Sequence, residues 1–364
     1  MIEPPIEHEF EQRARSFCRR FAEAPVDRRF VMGRGEYAAS IAAVLPIGGF
    51  IDDYTTDSTF MEIGVVRSAD LPPDSMVVVA SMLRPASALR SLIGTNAAAL
   101  DYFAFERFSG LDVKPVTFWP QFRIDYEQNG PLYAAVRDRL ADEESREVFD
   151  SLVRFRLTGD LSAMSGRRYD MVNQYFEDFL QLKSSGESFV DIGCYDGFTS
   201  IEFARRAPGF EHITAFEPAA DNYAVVVGNL QQLGADRVTV HQCGLSDSSA
   251  VLSFSSGHGS ASRLSSDGDT TIRVERLDDI EVPSVTFLKM DIEGAEEPAL
   301  NGSIETIRRH RPRLAISVYH RAHDFWRIPQ LIDAAGIDYE LRMRHYSEGI
   351  DETVMFFLPA DTSS

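Results

Sequence analysis

The chain has 364 residues, 44% hydrophobic and 25% charged, with 56 acidic against 36 basic side chains and a net charge of −20. That length suits two domains better than one, and that charge excludes broad nucleic-acid binding, because a phosphate backbone would be repelled. Cys18, Cys194 and Cys243 show no Cys-x-x-Cys spacing, so neither a disulfide framework nor a cysteine zinc site is expected. The N-terminal segment lacks the long apolar core of a secretory signal, and no stretch approaches the roughly 18 apolar residues of a spanning helix. The expectation is a cytoplasmic protein with no membrane span.

Taken in chain order, a charged segment from His8 to Ala24 reads as a helix. A strand over Arg29–Met32 then runs into Gly33-Arg34-Gly35-Glu36-Tyr37-Ala38, a Gly-x-Gly-x-x-Ala turn. A second apolar run, Gly49-Phe50-Ile51, ends at Asp52 and Asp53, and a third, Met76 to Ala80, follows the Pro72-Pro73 turn. This is the pattern of a small Rossmann-like α/β domain over residues 1–120, with no clear second mononucleotide-binding half. It serves as a scaffold or for dimerisation, or keeps a vestigial nucleotide site; a homo-oligomer stays open. Residues 121–185 form a helical connector, with helical spacing at Leu132–Arg139, Glu143–Phe155 and Tyr169–Leu182. Ser184-Ser185-Gly186 ends it.

From 186 to 364 strand and helix signals alternate as in a doubly wound sheet. Strands are expected at 188–192, 212–217, 237–242, 285–291 and 313–319, with a hairpin pair at 338–344 and 352–358, giving a seven-stranded sheet. The small-residue loop from Ser255 to Asp269 is a lid or a solvated surface loop.

The richest stretch is Ser188-Phe-Val-Asp-Ile-Gly-Cys-Tyr-Asp-Gly197. A short apolar strand runs into Asp191, Gly193 and Gly197, whose lack of a Cβ lets the backbone turn sharply and approach a ligand. The second strand ends in Glu217. Acids at two adjacent strand ends suit a ligand with hydroxyls and positive charge better than one with phosphates. Asp247 and Asp291 would follow the third and fourth strands and His320 the fifth, so polar groups gather at the carboxyl edge of the sheet, where such folds bind ligands.

Residues 188–358 resemble the FkbM-type methyltransferases, a class I family dependent on S-adenosylmethionine. The resemblance is carried by Phe-Val-Asp-Ile-Gly-Cys-Tyr-Asp-Gly (189–197), Ala-Phe-Glu-Pro (215–218), Gly-Leu-Ser-Asp (244–247), Phe-Leu-Lys-Met-Asp-Ile-Glu-Gly-Ala-Glu (287–296), Val-Tyr-His (318–320), Arg-His-Tyr (344–346) and Glu-Thr-Val (352–354). The family's first motif more often reads Asp-x-Gly-Ala-Asn-x-Gly; here Cys194 and Tyr195 stand in it. The resemblance implies a class I methyltransferase-like sheet and an S-adenosylmethionine pocket built from Asp191, Gly193, Tyr195, Asp196, Gly197, Thr199, Glu217, Pro218, Leu245, Ser246, Asp247 and Asp291.

The residues fit that ligand. Backbone N–H groups around Gly193 and Gly197 could meet its carboxylate, and Asp191 its ammonium, directly or through water. Glu217 could accept both ribose hydroxyls, and Asp247, with Ser246 and Leu245 beside the ring, the adenine amino group. Asp247 could equally be a turn residue.

An acceptor hydroxyl needs a base or a metal. The candidates are Asp291, Glu293, His320 and His345, with a histidine as base and Asp291 orienting it. The rival arrangement has Asp291, Glu293 and a histidine holding a divalent cation. Lys289 is expected to pair with Glu293 or Glu296, and Cys194 to be a packing residue. The expected activity is O-methylation of a sugar, glycan or related secondary metabolite, a substrate class taken from the resemblance. Two other readings stand beside it: a binding or regulatory protein that senses a nucleotide or nucleotide-sugar through its N-terminal unit, and an enzyme using NAD at Gly33 and Gly35.

Overall fold

Met76-Val-Val-Val79 is buried at every position, the signature of a parallel strand covered on both faces. It belongs to the first of two units seen in the computed structural model, which describes residues 8–116, 119–255, 263–264 and 270–360. The first unit comprises residues 1–128, 148–171 and 346–351. Its strands are β1 (Arg29–Met32), β2 (Gly49–Ile51), β3 (Thr59–Phe60), β4 (Ile63–Val66), β5 (Met76–Val79) and β6 (Ala98–Asp101). They lie in the order β3-β4-β2-β1-β5-β6, parallel except for β3.

The order of strands across the sheet reverses between β1 and β5, and all six strands lie within the expected 1–120, β4 and β6 being additions to the three apolar runs read from the sequence. β4, Ile-Gly-Val-Val, is interrupted by Gly64, and β6, Ala-Ala-Leu-Asp, lacks the branched or aromatic content that marks a strand. The Gly33–Gly35 turn sits at the end of β1. Between its glycines Arg34 reaches Asp52 Oδ2 and Asp57 Oδ2, each at 2.7 Å. Asp52 Oδ1 accepts from the N–H groups of Tyr54 and Thr55, so the acid that would meet a dinucleotide's ribose is engaged inside the protein. Within this unit the distant residue Glu348 is buried and accepts from Ser87 N at 2.6 Å.

The second unit comprises residues 129–147, 172–345 and 352–364. Its strands are β7 (Ser188–Ile192), β8 (His212–Phe216), β9 (Val238–His241), β10 (Gly244–Leu245), β11 (Ala250–Ser255), β12 (Arg263–Leu264), β13 (Thr270–Glu275), β14 (Phe287–Met290), β15 (Arg313–Ser317), β16 (Tyr339–His345) and β17 (Thr353–Pro359). Seven of them form a sheet in the order β16-β17-β15-β14-β7-β8-β9, with β17 antiparallel to both neighbours. This is the expected seven-stranded sheet of class I methyltransferases. β10 to β13 form a separate small sheet. The expected lid, 255–269, lies almost wholly outside the described residues. Among the described residues no helix is long and apolar enough to cross a membrane.

The expected helix at Tyr169–Leu182 is absent; the segment holds only a single turn at Asp178–Leu180. Tyr175 and Gln181 have φ of +69° and +47°, incompatible with a continuous right-handed helix. Side-chain ties replace helical bonds. Gln174 donates to Glu352, and Arg206 donates to Val172 O and Asn173. The earlier segment, 129–147, is secured to the same unit by Tyr133 to Ala322 O at 2.8 Å and by the paired bonds of Arg139 to Asp333.

The three central strands are locked at their amino ends by one carboxylate. Glu187, just before β7, accepts from Lys183 N at 2.9 Å and from Thr286 and Arg313, which precede β14 and open β15. Burial would push this carboxyl up, but the Thr286 hydroxyl, the Lys183 N–H and Arg313 hold it below its ordinary value. A depressed folded pKa contributes stability that is complete above the unfolded value, about 4.3 for Glu, and is lost as pH falls toward the folded one. Glu187→Ala should therefore cost about 3 kcal/mol at pH 7, the scale for breaking a buried pair. In urea unfolding the gap between Glu187→Gln and the native chain should narrow as pH falls below about 4.

Candidate active site

The site grows from a cross-strand pair. Asp191 on β7 and Lys289 on β14 are register partners, and their side chains are 0% and 3% exposed with Nζ 3.3 Å from Oδ1. Ser200 donates to Asp191 Oδ2 at 2.8 Å, and Lys289 donates to Gly193 O at 2.6 Å. Burial would push the ammonium down, but Asp191 and then Asp291 hold it above its ordinary value. Asp191 is thus engaged within the protein by Lys289 and Ser200, and Lys289 pairs with it rather than with Glu293 or Glu296. The aspartate shapes the loop from beneath.

The loop above passes close to β14. Gly193 has φ +76°, and a Cβ there would stand 2.0 Å from Asp291 O, so no other residue fits. Gly197, at φ +83°, opens the helix Phe198–Arg206. The loop's N–H groups are largely spent inward: Gly193 and Cys194 donate to Phe216 O, and Gly197 to Cys194 O. The N–H groups of Gly193 and Gly197 thus do not await a carboxylate, and the glycines serve the turn itself. Burial pushes the Cys194 thiol far up, as suits a packing residue. Tyr195 and Phe198 project with 42% and 50% exposure. Asp196 receives Phe198 N at 2.9 Å, and Thr199 is half-buried.

Glu217 follows β8 and is 6% exposed. Oε1 accepts from Ala219 N at 2.9 Å and Asn222 at 3.3 Å; Oε2 accepts from Tyr195 N at 3.2 Å. A carboxylate has about four acceptor positions, so Oε2 keeps capacity for a ligand hydroxyl. Burial, against these bonds, pushes its pKa up. Pro218 is half-buried, Leu245 and Ser246 are buried, and Asp247 is exposed, with Oδ1 3.0 Å from the Ser248 hydroxyl that donates to it.

Asp291 follows β14 and is the hub of the other wall. Its Oδ2 accepts a short hydrogen bond from Tyr175 and another from Tyr319 at 3.3 Å; His320 Nε2 lies 3.4 Å from Oδ1. Burial raises both phenol pKa values far above normal, with the Asp291 charge adding to it, so both remain donors. His320 Nδ1 lies 2.9 Å from Glu296 Oε1, and its Nε2 3.7 Å from Glu293 Oε2. Burial would push the imidazole down, but Glu296, then Asp291 and Glu293, hold it well above its ordinary value. These carboxylates favour the charged form of His320 over the neutral one that the sequence suggests for a base. Its charge and that of Lys289 hold Asp291 low despite burial. Glu293, at φ +55°, keeps a third of its side chain exposed.

His345 lies on β16 opposite Thr353, with Nδ1 2.9 Å from its hydroxyl. The structure thus joins Asp291, Glu293 and His320, and adds three groups that sequence reasoning left without a role here: Tyr175, Tyr319 and Glu296. Tyr319 and Glu296 lie inside the quoted motifs; Tyr175 is 116 residues from its partner and has no local signal.

Replacing Lys289 with Met leaves Asp191 buried and unpaired. Lys289→Met should lower urea-unfolding stability by about 3–5 kcal/mol. Adding Asp191→Asn should recover much of the loss, since it removes the orphaned charge.

Residues 191–348 match the family model of the methyltransferase FkbM domain. Over 98% of its length the chain is similar to the whole (100%) of the solved methyltransferase FkbM from Methylobacillus flagellatus KT, with 23% identity and a TM-score of 0.72; this similarity is one of fold. Smaller similarities reach a precorrin-6y C5,15-methyltransferase from Geobacter metallireducens GS-15 (15% identity, 50% of this chain and 81% of that one, TM-score 0.31). Another is a putative rRNA methylase from Clostridium thermocellum (11% identity, 52% and 95%, TM-score 0.36). No curated protein sequence matches the chain. A methyltransferase FkbM domain thus occupies residues 191–348 of the chain.

Proposed function

We propose that the protein transfers a methyl group from S-adenosylmethionine to a hydroxyl of a sugar, glycan or related secondary metabolite. The observation that carries the cofactor reading is Glu217. It is a buried strand-end carboxylate with unused acceptor capacity, tied to the glycine loop by Tyr195 N. Two ribose hydroxyls are what such a group accepts well. Leu245, Ser246 and Asp247 would border the adenine, and Tyr195 and Phe198 offer exposed rings beside the cleft. The acceptor class follows the motif resemblance.

When bound, S-adenosylmethionine supplies a methyl group on an electron-poor sulfonium, open to in-line displacement. The chain's own part is to align the acceptor and take its proton. As the new O–C bond forms, the hydroxyl proton becomes strongly acidic, so a carboxylate is a competent base late in the step. Glu293 is the carboxylate left partly open. Asp291, fixed by Tyr175, Tyr319 and His320, orients the acceptor beside it. His320, drawn toward its charged form by the carboxylates around it, offsets part of their charge.

Incubating the protein with S-adenosylmethionine and a panel of glycans and hydroxylated metabolites should give products heavier by one CH₂ on oxygen. Methylation solely on nitrogen or carbon, or heat of binding with NAD but none with S-adenosylmethionine, would overturn the reading. Glu217→Ala should weaken S-adenosylmethionine binding in calorimetry by roughly 1.5–3 kcal/mol, the range for hydrogen bonds to a charged group. Glu293→Gln should lower turnover while leaving that affinity nearly unchanged.

A further inference from the structure

Asp291, Glu296 and His320 each place one potential ligand atom so that the three lie within 4.8 Å of one another. The turn that brings the two acids together runs through Glu293 and Gly294, both in the left-handed region, and Arg321 holds it by donating to Gly294 O. A second, independent feature marks the cluster. The side chains of His320 and Glu296 are 7% and 1% exposed, yet neither ring nitrogen of His320, nor Oε2 of Glu296, has an aligned hydrogen bond. Buried polar atoms are ordinarily satisfied. Here the oxygens and nitrogens are near one another without pointing at one another, as donor atoms do when they face a common centre. Ligands of one ion at about 2.0–2.2 Å stand up to about 4.4 Å apart, and a small side-chain rotation closes the difference.

Charge points the same way. Three carboxylates, Asp291, Glu293 and Glu296, converge on His320, while the nearby ammonium of Lys289 is taken by Asp191 and Gly193 O. The wall carries surplus negative charge at low water access, which a divalent cation would offset. Two carboxylates with one imidazole suit a first-row transition ion better than calcium or magnesium, which favour all-oxygen shells.

We propose that Asp291, Glu296 and His320 bind a first-row divalent metal ion of the Mn²⁺ to Zn²⁺ class, the ion displacing to solvent the proton that His320 holds in its absence. Its role in catalysis rests on the methyl-transfer reading. Held there, the ion acidifies an acceptor hydroxyl. The O–H proton passes to Glu293, the oxygen forms its bond to the methyl carbon, and the C–S bond breaks with its electron pair going to sulfur.

The test uses the full chain, freed of metal by chelation and desalting, and titrated with Mn²⁺ while free ion is followed by electron paramagnetic resonance. One Mn²⁺ per chain should bind, be displaced by Zn²⁺, and show nitrogen modulation from a directly bound imidazole. Glu296→Gln and His320→Gln should each weaken binding at least tenfold, while Glu281→Gln, at an exposed acid, should not. Absence of stoichiometric binding by the native chain, absence of nitrogen modulation, or undiminished affinity in both variants overturns the metal site. The nitrogen signal is read on the native chain, so a variant that fails to fold does not blunt the test. Calorimetry with S-adenosylmethionine on the same metal-free protein separates the two readings. Cofactor binding without Mn²⁺ binding removes only the metal, and loss of cofactor binding removes the methyl-transfer reading.

Discussion

A buried ammonium decides the form of the glycine loop after β7. Lys289 stands in β14 opposite Asp191 in β7, and its Nζ draws in Asp191 and the Gly193 carbonyl together. That pull bends the chain away from β7 at the residue where any Cβ would strike Asp291 O. The following N–H groups then close onto Phe216 O at the end of β8. Loop, second strand and fourth strand are thereby set from one point, and Glu217 takes its place through Tyr195 N. Ion pairs this deeply buried add little net stability against apolar replacements. The value of this one lies in geometry.

Four acids at one sheet edge do four different things because their surroundings differ. Asp191 is neutralised beneath the loop, Glu217 is pushed toward protonation by burial, and Asp291 is held ionised by two cations and a phenol. Of the four, Glu293 keeps the most contact with solvent while remaining beside His320. Residue type places each of them on the list of candidates; solvation and partners assign the work.

Much of this was legible in the sequence. Apolar runs followed by an acid located the strands of the second sheet, and the glycine spacing located the loop, since both signals are local. Roles that depend on distant partners were not. Nothing near Lys289 distinguishes Asp191 from Glu293 as its partner, because register across strands chooses. His320 reads as a neutral base until Glu296 is seen 2.9 Å from its ring. The 169–182 segment has helical spacing, yet its side chains find better partners in Asp291, Glu352 and Arg206. In the first unit, β4 is broken by the exposed Gly64 and β6 opens on two half-buried alanines, so neither carries an unbroken apolar run of its own.

The two units are interlaced in sequence. Residues 148–171 and 346–351 belong to the first, and 129–147 to the second. Glu348, which holds Ser87 and Arg90, is therefore synthesised after nearly all of the second unit. On the ribosome the N-terminal sheet can assemble its strands early but must wait for residues 346–351 to complete its own packing. The order of synthesis thus delays the completion of the first unit until residue 351, when β17 is the one strand of the seven-stranded sheet still to be made.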